Sequence, residues 1–392
     1  MLYAGVDIAK ADHVIGVVDD RGARVARQMP FKNSEAGFER CAEWLEGVAA
    51  EPSDVLVGME ATGHYWRALF AFLVARGYRV CVINPVQVRA VRKLKGLERV
   101  KNDRVDSELI AETLRIGQFD ETRLTDERVE SLRTLTRYHQ SLRAEAAEAK
   151  TQLLCVLDAY FPEYERLFSD PFCVSSLALL ALAPLPADLA RRREKTVADA
   201  LSAASRGRIG RERAAEVKAA ARSSVGYRVG SEAASFEVRS LVRTIEFLES
   251  EASQVAGRVA ALLSEVEPLV LTIPGVGGVT GAQIVAEIGD IARFPNAKAL
   301  VRYAGLDSSV NQSGQFDSGG GPITKHGSPY LRRAVWLAAS RAWQYDERLG
   351  DFYRKKRSEG KPHRVAVTAV ARKLCHVIFA VMRDQEAYDA SR

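Results

Sequence analysis

The chain has 392 residues, of which 47% are hydrophobic and 27% are charged. This composition is typical of globular proteins, and the length suits two or three domains. No stretch approaches the roughly 20 consecutive apolar residues that a membrane span requires, and the first residues lack the basic and apolar regions of a secretion signal. We therefore expect a cytoplasmic protein that contacts no membrane.

The cysteines and the net charge further restrict the classes of protein to which this chain can belong. Five widely spaced cysteines without a CxxC pair argue against both a disulfide framework and a zinc site. The 56 Lys and Arg residues against 50 Asp and Glu residues give a net charge of +6, which permits a polyanionic partner. A local excess of cations lies between residues 325 and 373, so we expect such a partner to contact this segment.

The first 125 residues predict an α/β domain. The patterns run in the order strand 2–8, strand 14–18, strand 24–31, helix from Ser34 to about 48, strand 55–59, helix 62–76 and strand 79–83. Three hairpin-connected strands followed by α, β, α, β and α elements form the order of a ribonuclease-H-like fold. We therefore predict a domain of this kind over residues 1–125.

The rest of the chain predicts an all-α structure. Residues 126–265 are strongly helical, and the runs 141–157 and 236–266 suit a long helical hairpin or a coiled coil, within one chain or between two. Glycines and prolines interrupt the pattern over about 171–230, which predicts an inserted subdomain. A last, mostly helical domain is predicted over 266–392.

Four carboxylates of the first domain occupy places where the predicted fold would bring them together: Asp7, Glu60, Asp103 and Asp106. Asp7 lies within an apolar strand, where a bound cation would offset its desolvation, and Asp103 and Asp106 are spaced to share a helix face. Oxygen ligands without His or Cys suit Mg²⁺ or Mn²⁺, which promote phosphoryl transfer. Alternatively, Asp103 and Asp106 only favour a helix N-terminus and Glu60 is a surface residue.

A glycine-rich turn opens the last domain in the segment LTIPGVGGVTGAQIVAEIGD. An apolar residue and a proline before Gly-x-Gly, with a small-residue helix from about Val279, are typical of a helix-hairpin-helix. Its backbone N–H groups would bind a DNA phosphate without reading sequence, through Pro274, Gly275, Gly277 and Gly278. The alternative is an αα-hairpin whose glycines serve only packing.

A polar loop over residues 313–321 precedes a basic helix. Serines at positions 308, 309, 313 and 318 offer hydroxyl groups, and Lys325, Arg332 and Arg333 follow them. A serine can attack phosphorus if a base or metal activates it and cations stabilise the developing charge. Serines and glycines in loops are more commonly turn formers, so a structural role is the alternative for each serine.

The order and spacing of several motifs resemble the DEDD transposases of the IS110 insertion-sequence family, relatives of the Piv-type DNA invertases. The motifs are AGVDIAK, GMEATGHYW, VINP, KNDRVDSELIAE, TIPGVGGVTGAQIVAEIGD, YAGL, the step Ser313-Gly314, and TKHGSPYLRRA. The resemblance covers most of the chain. The segment 171–230 looks longer than the middle region of compact members, and the residues around Ser313 match the family only loosely.

The resemblance implies a RuvC-like N-terminal domain whose acidic tetrad is Asp7, Glu60, Asp103 and Asp106, holding Mg²⁺ or Mn²⁺. It also implies a C-terminal transposase domain in which Ser313 becomes covalently linked to DNA. Members of the family form dimers that pair into tetramers, with composite sites from two protomers, and some are guided by a structured noncoding RNA that pairs with donor and target DNA. The implied location is the prokaryotic cytoplasm, at the nucleoid during recombination.

Two other functions remain as alternatives at this point. A RuvC-like nuclease or junction resolvase would cut DNA by metal-bound water alone, with Ser313 as a turn residue and free DNA ends as products. An architectural nucleic-acid-binding protein would bind DNA without metal and without cleavage, and its carboxylates would serve as helix caps.

Overall fold

The computed structural model describes residues 1–61, 63–97, 102–117, 126–266, 268–308, 312–313, 316–317 and 321–390. The chain divides into two compact units, Met1–Leu124 and Thr125–Arg392.

The first unit contains a five-stranded mixed sheet. Its strands are β1 (Leu2–Asp7), β2 (Asp12–Val18), β3 (Met29–Lys32), β4 (Val55–Glu60) and β5 (Arg79–Ile83). They lie in the order β3-β2-β1-β4-β5. Strand β2 is antiparallel to β1 and β3, whereas β4 and β5 run parallel to β1. This is the mixed α/β architecture that the element order predicts, with the central strand first in the chain.

Helices cover both faces of this sheet. They are α1 (Glu35–Glu46), α2 (Trp66–Ala75), α3 (Pro85–Leu94) and α4 (Asp103–Arg115). In β4, Val57 and Met59 join a hydrophobic cluster with residues of α1 and α2, whereas Leu56 packs with residues of α3 and α4. Successive side chains of a strand point to opposite faces, so a strand with nearly all of its residues apolar is covered on both sides.

The third strand differs from its prediction. A strand is expected over 24–31, but β3 covers only Met29–Lys32. Residues 19–23 form a tight turn ahead of the predicted strand, in which the Asp19 carboxylate accepts hydrogen bonds from the backbone N–H groups of Arg21 and Ala23. Gly22 has a φ of 83° there, a conformation that favours glycine. After the turn, Arg24 pairs with Val18 in an isolated antiparallel bridge, and the continuous strand begins only at Met29.

Two long helices form the frame of the second unit: α5 (Glu127–Tyr160) and α10 (Ser231–Val266). They pair in antiparallel fashion within one chain, because Arg128 near the start of α5 contacts Glu265 near the end of α10, and the Tyr160 hydroxyl donates to the carbonyl of Val229. Between them the chain forms α6 (Val174–Leu182), α7 (Pro186–Arg191), α8 (Glu194–Ser205) and α9 (Arg211–Ser223).

The C-terminal part of the second unit is mostly helical. Its elements are α11 (Gly278–Ile288), α12 (Ala297–Tyr303), the short strands β6 (Gln312–Ser313) and β7 (Phe316–Asp317), α13 (Pro329–Tyr345), α14 (Glu347–Ser358) and α15 (His363–Asp384). Residues of α11, α12, α13 and α15 share one hydrophobic cluster.

One of the described helices, α15, reaches the length and mean hydropathy at which a helix could cross a membrane. The helix contains Arg372 and Lys373, so it is not a run of about 20 consecutive apolar residues. Half of its apolar window is buried inside the protein. Its residues Val367, Leu374 and Ile378 belong to the C-terminal hydrophobic cluster, so the apolar character of α15 is accounted for by its place in that core.

Candidate functional site

Two of the predicted carboxylates lie at the same edge of the sheet. Asp7 is the last residue of β1 and Glu60 is the last residue of β4. These strands are parallel neighbours, with Val6 opposite Met59. The carboxyl ends of parallel strands meet at one edge of a sheet, which is where α/β folds bind their ligands. The strand pairing thus brings Asp7 and Glu60 to adjacent positions.

Helix α4 crosses the sheet over a row of three glycines. Gly16, Gly5 and Gly58 lie side by side in β2, β1 and β4. A Cβ atom on Gly5 would be 2.0 Å from the carbonyl oxygen of Ser107, and one on Gly58 would be 2.8 Å from a methyl carbon of Leu114. The absence of side chains along this row lets the helix backbone contact the sheet directly.

The direction of α4 places its acidic end near Asp7 and Glu60. At the C-terminal end of the helix, Arg115 donates a hydrogen bond to the carbonyl oxygen of Asp20. Asp20 follows β2, whose Val18 pairs with Tyr3 near the start of β1. The opposite end of α4 therefore lies toward the carboxyl ends of β1 and β4. Its first turn carries Asp103 and Asp106, as predicted.

Ion pairs with cations of the α3 region hold α4. Arg92 pairs with Asp106, and both side chains are largely buried. Lys95 lies 3.0 Å from the Glu112 carboxylate, and Arg115 contacts the same group. The hydrogen bond from Arg115, with a further contribution from Lys95, lowers the pKa of Glu112 from 4.5 to about 2 despite its burial. Of these ion pairs, the one between Arg92 and Asp106 involves a predicted metal ligand.

The donor chemistry at this edge fits a hard divalent cation. Asp7, Glu60 and Asp106 offer carboxylate oxygens, which Mg²⁺ and Mn²⁺ prefer. Among the described side chains, no group of three or more His, Cys, Asp or Glu residues is close enough to hold a metal ion. The side chain of Asp103, the fourth predicted ligand, lies outside the described part of the chain. The fit therefore rests on residue type and on shared location at the sheet edge.

The glycine row gives a direct test of how α4 is positioned. We expect Gly5→Ala to lower the free energy of unfolding by at least about 2 kcal/mol, because the new Cβ would collide with helix backbone rather than with a movable side chain. Urea denaturation of the full chain measures the effect. Gly257→Ala, in the interior of α10 with no atom within 4 Å, should instead stabilise by about 0.5–1 kcal/mol. Equal unfolding midpoints for the two variants would contradict the close approach.

The glycines of the turn before α11 divide into two kinds. Gly275 has a φ of 85°, and a Cβ there would be 2.5 Å from the backbone nitrogen of Ala342 in α13. Packing thus explains Gly275. Gly277 and Gly278 are exposed at the start of α11, and a Cβ on Gly277 would meet nothing within 4 Å. Pro274 lies in the turn that joins a short 3-10 helix (Leu269–Thr272) to α11.

The polar loop that carries the candidate serines, here called the serine loop, is fixed at its base by contacts between residues 307–308 and 323–324. Ser308 pairs with Ile323 in an isolated antiparallel bridge, and the Thr324 hydroxyl donates to the Asp307 carboxylate at 2.5 Å. Ser313 lies in the short strand β6, and its side chain is outside the described part of the chain. Ser309 and Ser318, the other candidate serines, lie outside the described residues altogether.

The cations that follow the loop differ in their surroundings. Lys325 is exposed and has a φ of 57°, which is uncommon for a residue other than glycine. Arg332 in α13 donates to the carbonyl of Ala304, and burial lowers its pKa. The exposed Arg333 has its pKa lowered by partial desolvation and by the nearby Arg143. These three positions thus place positive charge around the start of α13.

A buried network that the sequence analysis missed fixes the start of α13. Glu287 in α11 is 1% exposed and accepts two hydrogen bonds from Arg137 of α5, at 2.7 and 3.0 Å. It also accepts one from the hydroxyl of Ser328, the N-cap of α13, at 2.8 Å. Arg137 stacks over the ring of Tyr330. Burial lowers the pKa of Arg137, and Glu287 more than offsets this, so the net shift is upward.

Comparisons with known proteins extend over nearly the whole chain. The IS110 DEDD profile, described as "Transposase", matches residues 4–162, and the profile described as "Transposase IS116/IS110/IS902 family" matches residues 267–354. A 43.6 kDa protein of insertion element IS110 from Streptomyces coelicolor is 25% identical, over 99% of this chain and 96% of the relative. A pilin gene-inverting protein from Moraxella bovis is 23% identical, over 99% of this chain and 97% of the relative.

A solved structure of RuvC from T. thermophilus, in complex with a Holliday junction substrate, covers 31% of this chain and 99% of its own, with 20% identity and a TM-score of 0.25. The two profile matches and the full-length relatives define a DNA transposase or recombinase. The chain belongs to the IS110 family of transposases.

Proposed function

We propose that this transposase cuts and rejoins donor and target DNA through a covalent link between Ser313 and DNA, assisted by a metal site in a RuvC-like first unit. The observation that supports the proposal most is the arrangement at the sheet edge. Asp7 and Glu60 end adjacent parallel strands, and the acidic first turn of α4 lies toward the same edge. A stability role alone does not require carboxylates at all of these positions.

In this proposal Asp7, Glu60, Asp103 and Asp106 hold Mg²⁺ or Mn²⁺. A bound ion of this kind would stabilise negative charge on a phosphodiester and orient it. Arg92 holds Asp106 in the structure. Its positive charge offsets part of the negative charge at the sheet edge, and Asp106 would be shared between Arg92 and a bound ion.

The second unit supplies the nucleophile. The Ser313 Oγ atom forms a bond to phosphorus while the bond from phosphorus to a sugar oxygen breaks. The serine proton passes to a base or to water, and the leaving sugar oxygen takes up a proton. Lys325, Arg332 and Arg333 would stabilise the charge on the phosphate, and Gly277 and Gly278, in a helix-hairpin-helix with Pro274 and Gly275, would bind a neighbouring phosphate.

The proposed assembly is a homodimer that pairs into a tetramer, guided by a structured noncoding RNA of the element. The antiparallel pair of α5 and α10 provides a coiled-coil-like rod for such an assembly. Cations of α3 such as Arg89 and Lys93 would bind the RNA backbone, whereas Arg92 and Lys95 are engaged with acidic residues of α4. Two further cations that follow α3 in the sequence, Arg99 and Lys101, lie outside the described residues.

A test of the proposal combines the purified full-length protein with RNA transcribed from its flanking locus, donor and target DNA, and Mg²⁺. We expect a protein–DNA adduct that resists denaturant, and we expect Ser313→Ala to abolish it. Ser223→Ala, at the C-terminal end of α9, serves as the matched control and should leave the adduct unchanged.

The same experiment separates the proposal from a nuclease. If DNA is cut with no adduct, and Ser313→Ala cuts it equally well, the serine assignment is wrong. The carboxylates at the sheet edge would then cut DNA without a nucleophilic serine, as in a metal-dependent nuclease.

A further inference from the structure

Arg372, on the exposed side of α15, contacts the base of the serine loop. Its Nη1 atom donates a hydrogen bond to the Ser308 hydroxyl at 2.9 Å. Within the described part of the chain, the Arg372 guanidinium pairs with no Asp or Glu side chain. Arg372 also lies beyond residues 267–354, the part of this unit that the transposase profile matches. Neither the motifs nor the family comparison therefore singles it out.

Two other cationic residues contact the segment just before Ser308. The backbone N–H of Lys325 donates to the carbonyl of Gly305, and Arg332 donates to the neighbouring carbonyl of Ala304. A Cβ on Gly305 would be 2.6 Å from the Arg332 Nη1 atom and 3.0 Å from the Lys325 Cα atom. Gly305 has a φ of 64°, so its glycine identity permits both the turn and this close contact.

Three cationic residues thus contact the segment 304–308 at the loop base. Among the described side chains there, Asp307 is acidic, and it accepts a hydrogen bond from the Thr324 hydroxyl. The described partner of the Arg372 guanidinium is a neutral hydroxyl, and a phosphate in place of that hydroxyl would be a stronger partner. The new hydrogen bonds are charge-assisted, and the planar guanidinium can form two of them in parallel.

We propose that Arg372 is a phosphate-binding residue of the DNA site. On DNA binding it would release Ser308 and bind an oxygen of the phosphate presented to the serine loop, together with Lys325 and Arg332. This inference rests on the proposed function for the identity of the attacked phosphate. The binding of DNA phosphate by Arg372 does not itself require a covalent step, so the two can be tested apart.

The test measures binding first and chemistry second, on the full-length protein with its RNA. Binding of a duplex from the flanking locus is measured at several salt concentrations without Mg²⁺, so that no chemistry follows. We expect Arg372→Ala to reduce the slope of log affinity against log salt by about 0.9, the value for one lost phosphate contact. Arg372→Lys, which keeps the charge, should restore most of the slope. An unchanged slope for Arg372→Ala would overturn the proposal.

Arg383→Ala is the matched control, because Arg383 lies on the same helix and is already paired with Asp384. It should leave the slope unchanged. With Mg²⁺ and saturating DNA, we expect Arg372→Ala to slow adduct formation at least about tenfold. If Ser308→Ala abolishes the adduct while Ser313→Ala retains it, Arg372 orients the nucleophile itself, and our assignment is wrong. If the parent protein forms no adduct but Arg372→Ala reduces the salt dependence of DNA binding as expected, the covalent serine mechanism is wrong. The assignment of Arg372 as a phosphate-binding residue is then retained.

Discussion

With Asp7→Asn we expect metal-dependent cutting and joining of DNA to fall by about 10²–10³-fold, while nucleic-acid binding stays near its parental affinity. Asp7 ends the central strand of the sheet, at the edge where Glu60 ends β4 and toward which the first turn of α4 lies. Asparagine keeps the size of the side chain but removes the charge that attracts a divalent cation. The measurement compares strand-transfer rates of parent and variant over a range of Mg²⁺ concentrations.

An exposed carboxylate at the opposite edge of the sheet provides the control. Asp54 directly precedes β4 and so lies at the amino end of that strand, whereas Glu60 lies at its carboxyl end. Asp54→Asn should leave the rate and its dependence on Mg²⁺ unchanged, because a carboxylate at the opposite edge cannot share a metal ion with Asp7. Preserved strand transfer in Asp7→Asn would rule out Asp7 as a metal ligand.

Glu287→Ala should lower the free energy of unfolding by about 3–5 kcal/mol, the usual cost of removing one partner of a buried ion pair. The substitution leaves the Arg137 guanidinium without its carboxylate and deprives the Ser328 hydroxyl of its acceptor. Urea denaturation of the full chain measures the change. Adding Arg137→Met to the same protein should recover part of the loss, because the uncompensated cation is then removed as well.

The control for the Glu287 prediction is Glu216→Ala, a substitution in a helix of the same unit. Glu216 is 49% exposed and pairs with Arg213, three residues earlier in α9. Its removal should cost less than about 0.5 kcal/mol. Similar losses for the two variants would show that the Glu287 network does not stabilise the fold as its burial implies.

The sequence permitted a close prediction of the first unit wherever local signals were strong. The apolar run of β5 and the serine cap of α1 gave boundaries that the structure confirms within two residues. The prediction of β3 was wrong at its start, because pairing with β2 is interrupted between the isolated bridge of Arg24 with Val18 and the strand that begins at Met29. Such an interruption depends on the register of two paired segments and leaves no local pattern in the sequence.

Features that depend on register between distant segments could not be predicted. The glycines at positions 5, 16 and 58 are unremarkable in sequence and form a row only once three strands are paired. The contact between Arg372 and Ser308 joins residues 64 apart in the chain. Glu287 did carry a signal, since it is a charged residue inside an apolar helix, and the same reasoning that singled out Asp7 would have found it.

The length of α5 has a consequence for how this protein can vary. A helix of 34 residues extends about 50 Å, at 1.5 Å per residue. The first half of α5 contacts α11 through Arg133 and Arg137, whereas its last residues lead to the four short helices α6–α9. Insertions or deletions among α6–α9 therefore fall several helical turns away from the contacts between α5 and α11. The number and length of those short helices can change without displacing the pair of Arg137 with Glu287.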